Sequence, residues 1–274
     1  NGPQIEIGNK ELAQGFLLRS SDFANNKTRI ALIVTSKVLY NLQSLAFRKY
    51  FLNYFNIERI FELAAVRREV FDKSNDKAIA PACILFYNYK KNKNTDLNIV
   101  EHISLKPSRF FSLFKIFTIH RTDYKKVEQQ KLKEFDWLFK VLVYGSYLDF
   151  NFIRRLKDVY SSIGQEITSN PKLIIGQGIM VGGGDKNDAN DLMGKPYIDT
   201  RTDIHQYWVN PKKNKKWEHR LVHRVRNKEL YKAPVLLITE GVRNDLKSVS
   251  AICYHNSVYK SSLTGIKGKD KDSI

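Results

Sequence analysis

The chain has 274 residues, 46 of them basic and 28 acidic, for a formal charge of +18 and a pI near 9.7. At roughly 100–200 residues per domain that is one large domain or two modest ones, and 42% apolar with 12% aromatic residues excludes a disordered basic tail. No apolar run reaches the ~18–20 residues of a membrane span. Cys83 and Cys253 each sit in an apolar stretch, which argues against a disulfide framework or a cysteine-rich zinc site and fits a reducing, cytoplasmic setting. The chain starts at Asn1 without methionine or signal-peptide pattern, so a piece of a longer protein is expected.

In chain order, Lys10–Phe23 predicts an amphipathic helix, with Leu12, Phe16, Leu17 and Phe23 at helical spacing. Arg29–Thr35 (RIALIVT) is a short apolar run of the kind found in strands covered on both faces. Ser44–Phe55 predicts a second helix, and Ile57–Leu63 and Ala80–Tyr89 predict two further strands with no helix between them, hence antiparallel neighbours. Helix–strand–helix–strand is the grammar of an α/β domain. The polar stretch Lys90–Asn98 marks a boundary candidate. Beyond it come β-like segments at Ile99–Leu105 and Phe114–His120, then a helical region over Tyr124–Tyr160, divided into Lys125–Phe135 and Trp137–Val159. From Leu173 onward LIIGQG, KPYIDT, IHQYWV, PVLLITEG and SVSAICYH read as strands among long polar loops. The expected fold class is α/β: the second half of a Rossmann-like sheet, then a helical connector, then a mostly β (α+β) module.

The charge is uneven. Residues 101–274 hold 31 basic and 19 acidic residues, net +12. The densest stretch, His205–Lys232, sets nine Lys/Arg against Glu218 and Glu229 and interleaves Tyr207, Trp208, Trp217 and Tyr231. Bases that neutralise phosphates release counterions, and rings among them can stack on nucleobases, so the stretch suits a polyanion. Equally, it is a solvated face whose rings belong to the core. Lys267–Lys271 alternates in charge and is expected to fray.

Several motifs fail on inspection. Gly176-Gln177-Gly178 with Gly182–Gly184 has the wrong spacing for a dinucleotide fingerprint, and the polar Asp185–Asp188 follows where a helix is needed. His219 and His223 stand four apart, but Glu218 precedes the first where a zinc protease needs it to follow, and no third ligand is evident. No serine nucleophile elbow occurs. Asn1-Gly2-Pro3-Gln4 lacks the second proline and the aromatic ring of an Asn-Pro-Pro-aromatic methyltransferase loop. No catalytic, cofactor-binding or metal-ligating residue is assigned.

Residues 9–88 resemble the second half of the catalytic domain of bacterial adenine-N6 DNA methyltransferases of restriction–modification systems, of the fused type IIG-like kind. ELAQGFLLRSSDF, RIALIVTSKVLYN, LAFRKYFLNYFNIERIFELAAVRREVF and AIAPACILFYNY carry the likeness. Further on, WLFKVLVYGSYLDFNFIRRL is similar to the family's connector helix. NPKLIIGQGIMVGG, KPYID, HRVRNKELYKAPVLLITEGV and HNSVYKSSLTGIKG are similar to the start of its target recognition domain.

The resemblance implies residues 1–89 as the C-terminal half of a methyltransferase domain, 90–164 as a partly helical connector, and 165–274 as a DNA-recognition module. It implies S-adenosylmethionine as the parent's cofactor, with the binding loop and the catalytic loop upstream of this chain, and Mg2+ only if a nuclease domain also lies upstream. Its partners are double-stranded DNA and the rest of the methyltransferase domain or a partner chain, with no membrane. On that reading Lys212, Lys213, Lys215, Lys216, Arg220, Arg224 and Arg226 are expected phosphate contacts, and Arg201, Gln206 or Arg243 expected base readers. A Glu240–Arg243 ion pair at a turn is the competing role for Arg243. The chain alone is expected to be inactive. The competing functional readings are a non-catalytic DNA-binding specificity module and, more weakly, an RNA methyltransferase fragment. A strand near residues 28–35, lacking its upstream neighbour, is expected to leave an open sheet edge.

Overall fold

Branched apolar residues in Ile30–Thr35 favour extended chain, and in the computed structural model they form the first strand of a five-stranded sheet. The structure describes residues 5, 7–25, 27–71, 80–90, 94–170, 172–182, 184, 186–210, 215–241 and 248–269. Asn1–Gln4, Lys212, Lys213 and Arg243 lie outside them, as does the end of the Lys267–Lys271 stretch. Contacts divide the chain into two compact units, residues 1–158 and 159–274. The fold class is mixed α/β, with a mixed sheet in each unit.

The first unit runs α1 (Leu12–Arg19), β1 (Ile30–Thr35), α2 (Lys37–Tyr40), α3 (Leu45–Tyr54), β2 (Phe55–Glu62), α4 (Arg67–Val70), β3 (Ala82–Tyr89) and β4 (Ile99–Ser104). It continues with α5 (Arg109–Phe114), β5 (Tyr124–Glu128), α6 (Gln129–Glu134), α7 (Leu138–Tyr144) and α8 (Tyr147–Val159), whose last residue crosses the division. Strand order is β1-β3-β2-β4-β5. β3 lies antiparallel to both β1 and β2, although the sequence reading of no helix between β2 and β3 is corrected by the one-turn α4 there, while β4 joins β2 in parallel and β5 returns antiparallel. One face packs Leu85 and Tyr87 of β3, with Ile57 and Ile60 of β2, against Leu17, Phe47, Phe51 and Phe139 from the helices. Phe51 sits at the centre, with Phe47, Phe55 and Tyr87 within 4.7–5.5 Å of its ring. Buried Gln129 ties the end of α3 to the sheet: its amide donates to the Leu52 and Phe55 carbonyls at 2.6 and 2.8 Å, and its oxygen accepts from Ile57 N.

Four local expectations change. β1 is not covered on both faces, as its apolar run suggests, but stands at the sheet edge, as the resemblance implies, with Ile33 64% exposed. Phe114–His120 is not a strand: Ser108 caps α5 by accepting from Phe111 N, and irregular chain follows. The helical region over Tyr124–Tyr160 opens as strand β5, because β4 offers Ile99–Ile103 as a partner and pairing overrides helix propensity. The helical run over Trp137–Val159 divides at Gly145, where a Cβ would meet Val141 Cγ1 at 3.1 Å and the Val141 carbonyl at 3.2 Å.

The second unit holds α9 (Ile163–Ser169), β6 (Leu173–Gln177), β7 (Asn187–Asp188), β8 (Tyr197–Ile198), β9 (Ile204–His205) and β10 (Tyr207–Val209). Then follow β11 (Leu221–Val222), β12 (Val235–Thr239), β13 (Ser250–Cys253), β14 (Val258–Tyr259) and β15 (Leu263–Gly268). Six of these strands form one sheet in the order β6-β15-β12-β13-β10-β9, while β11 pairs β7 and β14 pairs β8. Ile179, Leu237, Ala251, Val258, Tyr259 and Leu263 fill its core. Among the described residues no helix is long and apolar enough to cross a membrane.

Candidate nucleic-acid interface

The second unit divides the aromatic residues of the basic stretch into two pairs. Trp217 and Tyr231 are 2% and 1% exposed, and their polar atoms are satisfied: Trp217 Nε1 donates to the His219 carbonyl at 2.8 Å and Tyr231 Oη to the Val225 carbonyl at 2.7 Å. These two rings build the core. Tyr207 and Trp208, by contrast, are 77% and 50% exposed.

Both exposed rings lie on the β9–β10 hairpin. His205 pairs with Trp208 and Ile204 with Val209, so Gln206 and Tyr207 form a two-residue turn. The His205 and Trp208 rings stack with centroids 4.4 Å apart and planes inclined by 18°, the expected contact of a directly opposed cross-strand pair. Parallel pairing of Tyr207 with Ala251 and Trp208 with Ile252 fixes the turn at the end of the sheet where β13 begins. That same end carries Glu240, whose N–H bonds the Ser262 carbonyl, and Thr200, whose hydroxyl meets the Ser262 hydroxyl at 2.6 Å.

The loop feeding the hairpin is held by its own carboxylates. Asp203 is buried and accepts from Asp199 N at 2.9 Å, while its carbonyl accepts from Asn210 N, closing the base of the hairpin. Asp199 accepts from Arg201 N at 2.9 Å and from Lys215 Nζ at 2.8 Å. The Lys215 hydrogen bond holds the Asp199 carboxyl below its ordinary range, and the same bond raises the Lys215 ammonium.

The expected contact residues separate by role. Arg201, Lys216 and Arg224 are exposed, and among the described residues no carboxylate lies within ion-pair distance of them. Gln206 is exposed at the turn. Lys215 is engaged with Asp199, and Arg220 lies 3.8 Å from Asp188 with both side chains largely in solvent. Arg226 is half-buried, has φ +68°, and donates from NH2 to Gln177 Oε1 at 2.9 Å, an anchoring bond between the 226 loop and β6.

Lys260 escaped sequence reasoning. Parallel pairing of β14 with β8 brings its ammonium over the Tyr197 ring, 5.7 Å from the centroid. Pairing of Pro196 with Lys216 sets Lys216 in the same neighbourhood. Sixty residues of separation hide that grouping, and only the strand pairing exposes it.

The glycine and histidine motifs resolve as structure. A Cβ at Gly178 would overlap the Tyr259 carbonyl at 2.3 Å, so this glycine allows a close backbone approach. Gly182 and Gly184 turn with φ of +99° and +113° into open space, and strand β7 follows where a phosphate cradle would require a helix. His219 lies in exposed loop and His223 just after β11, so they do not share a helix face. Among the described residues no group of three His, Cys, Asp or Glu is placed to hold a metal ion.

In the first unit, β1, β2, β4 and β5 frame an open depression of about 670 Å³ lined by Arg29, Glu58, Arg59, Glu101 and Lys126. Arg59 donates twice to Glu101 and Tyr124 Oη once, which with nearby Lys126 holds the Glu101 carboxyl low, while Arg29 lies 3.5 Å from Glu58. Its bases face carboxylates, so the depression is a charge-balanced wall and a poor anion site.

No family model matches the chain, and no curated protein matches it. Among solved structures it is similar to the type IIG restriction endonuclease BpuSI, at 14% sequence identity and a TM-score of 0.37. That match covers 99% of this chain and 38% of the other; the chain therefore spans well under half the length of the protein it resembles.

Proposed function

We propose that this chain is part of an S-adenosylmethionine-dependent, sequence-specific DNA adenine-N6 methyltransferase with associated restriction activity. Residues 1–89 supply scaffold for the methyltransferase domain, 90–164 a connector whose β4 and β5 complete the scaffold's sheet, and 165–274 DNA recognition. The observation that carries the DNA reading is the sorting of the basic stretch. Trp217 and Tyr231 turn inward, while Arg201, Lys216 and Arg224 remain in solvent away from carboxylates. Supporting the methyltransferase assignment are the sequence resemblance and the open edge of β1. There Leu12, Phe16, Phe23 and Ile33 line an apolar groove of about 540 Å³, the kind of edge that another strand and its helix cover.

The residues present do not fit S-adenosylmethionine. Gly178 is packed against Tyr259, and among the described residues strand β7, not a helix N-terminus, follows Gly182 and Gly184. No chemical step is assigned to this chain; its residues position DNA for a catalytic loop elsewhere in the parent protein.

Binding of the chain to a fluorescent 30-base-pair duplex tests the proposal. Affinity falls steeply between 50 and 200 mM salt, and Lys216→Gln with Arg224→Gln lowers the log–log salt slope by roughly 0.9 per charge removed. A duplex affinity indifferent to salt overturns the DNA reading. For the parent, N6-methyladenine in the source cell's DNA disappears on deletion of the gene. Its persistence, with duplex binding intact, favours the non-catalytic specificity module.

A further inference from the structure

We infer that the Gln206–Tyr207 turn is the base-reading tip of the second unit, entering a groove of duplex DNA. This rests on the DNA-recognition reading above and assigns one element to sequence discrimination. Tyr207 carries φ +76° at the second central position of a two-residue turn, a place that ordinarily selects glycine or asparagine. A bulky residue there strains the backbone.

Trp217 and Tyr231 are held by burial, whereas the Tyr207 ring stands 77% in solvent and, unlike the exposed Tyr254 and Tyr160, does so on a left-handed backbone. Strain without packing in return points to a contact made with something outside the chain. Four consecutive side chains, His205 to Trp208, are exposed, and none is acidic. The sheet register holds them rigidly through Ala251 and Ile252.

The partner follows from chemistry and shape. Arg201 flanks the hairpin, and Lys215 reaches the same Asp199 that supports the loop beneath it. Glu240 on this sheet end is engaged by the Thr264 hydroxyl. A two-stranded ribbon fits the major groove of B-form DNA, where the Gln206 amide can bond adenine bidentately and the Tyr207 ring can pack against a thymine methyl or base face. The deep, narrow major groove of A-form RNA does not admit it. The stacked Trp208–His205 pair stiffens the ribbon behind the tip.

Selection from a randomised duplex DNA library, followed by sequencing, tests this with the whole chain. The expected result is an enriched motif for the native protein. Tyr207→Gly relieves the backbone and removes the ring; Gln206→Ala removes the amide. Each variant loses preference at one or two base pairs of that motif and about 10-fold in affinity for it. Each keeps the native salt slope on unrelated duplex, since neither residue is charged. Tyr207→Gly melts no lower than the native chain. Variants that enrich the same motif with undiminished affinity overturn the inference while leaving DNA recognition standing. Salt-dependent binding with no motif enriched by the native chain overturns it too. No duplex binding at all removes the reading beneath it, and tighter binding to an RNA duplex of the same sequences reassigns the hairpin.

Discussion

The two sheets place ionisable groups in opposite ways. In the first unit Glu62 and His102 are buried at 0% exposure, and Arg48 is nearly so, while most of the exposed large apolar side chains among the described residues also belong to this unit, several of them in α1, α5 and α8. In the second unit the core is apolar apart from a few hydroxyls, such as Tyr259 Oη donating to the Leu230 carbonyl at 3.1 Å, and a bonded Asp203, and most bases lie outside, Arg226 being half-buried. A sheet that buries titratable side chains has a stability tied to pH. A sheet that keeps its charges in solvent has a surface tied to salt. The apolar side chains exposed on the first unit are of the kind that suit protein neighbours.

The sharpest way to break that comparison is through the first core. Phe51→Ala removes the ring at the centre of the Phe47–Phe55–Tyr87 cluster and is expected to cost about 3–5 kcal/mol. Hydrogen exchange read by mass spectrometry shows amides of β2 and β3 losing protection, while β12 and β15 keep theirs. Equal loss in both sheets would mean that the units unfold as one.

Glu62 comes next. Its Oε1 accepts from Ser36 Oγ at 2.5 Å and Ala64 N at 3.0 Å, Oε2 has no partner among the described residues, and burial raises the carboxyl to about 7. The folded state holds this proton more tightly than the unfolded chain, so native stability falls as pH climbs from about 4.5 through about 7. Glu62→Gln abolishes that slope, and its stability advantage over the native chain is expected to grow between pH 5 and pH 8 by about 3 kcal/mol. Denaturant melts at the two pH values measure it, and a constant difference would mean the carboxyl is not buried in charged form.

How much of this could be read from residues alone depends on distance along the chain. Local periodicity placed α1, α3, β2 and β3, because branched and aromatic residues at spacings of two or three to four announce their own geometry. It missed β5, where Tyr124–Glu128 is extended only because β4 lies beside it, while the open edge at β1 is expected from the resemblance and not from the RIALIVT run, which reads as a strand covered on both faces. At the candidate interface, sequence could name Tyr207, Trp208, Trp217 and Tyr231 as one aromatic group but could not divide them. Burial of Trp217 depends on strand pairing with Lys195 and Pro196 far upstream, and exposure of Tyr207 depends on a turn at a sheet margin. The tie between Lys260 and Tyr197 was out of reach for the same reason.

The smallest effect is the most diagnostic of the first sheet. His102 on β4 is fully buried, neither ring nitrogen has a partner among the described residues, and burial, with Lys125 nearby, lowers the imidazole to about 3. It therefore stays neutral when folded, whereas the unfolded ring takes a proton near pH 6.5, so native stability falls as pH drops below that value. His102→Leu replaces two unbonded polar atoms with a side chain that needs none. At pH 7.5 the variant is expected to be about 1 kcal/mol more stable than the native chain. Near pH 5 the gap widens by about 2 kcal/mol more, because the variant has no ring to protonate on unfolding. Glu62 and His102 pull in opposite directions between pH 4.5 and 6.5, one favouring acid and the other base, so the native chain shows a shallow profile there. Each single variant exposes the slope of the other: Glu62→Gln steepens the loss toward acid, and His102→Leu steepens the loss toward base. Denaturant midpoints at pH 5, 6 and 7.5 for both variants and the native chain resolve the two slopes, and parallel profiles for all three would show that neither group is sealed from water.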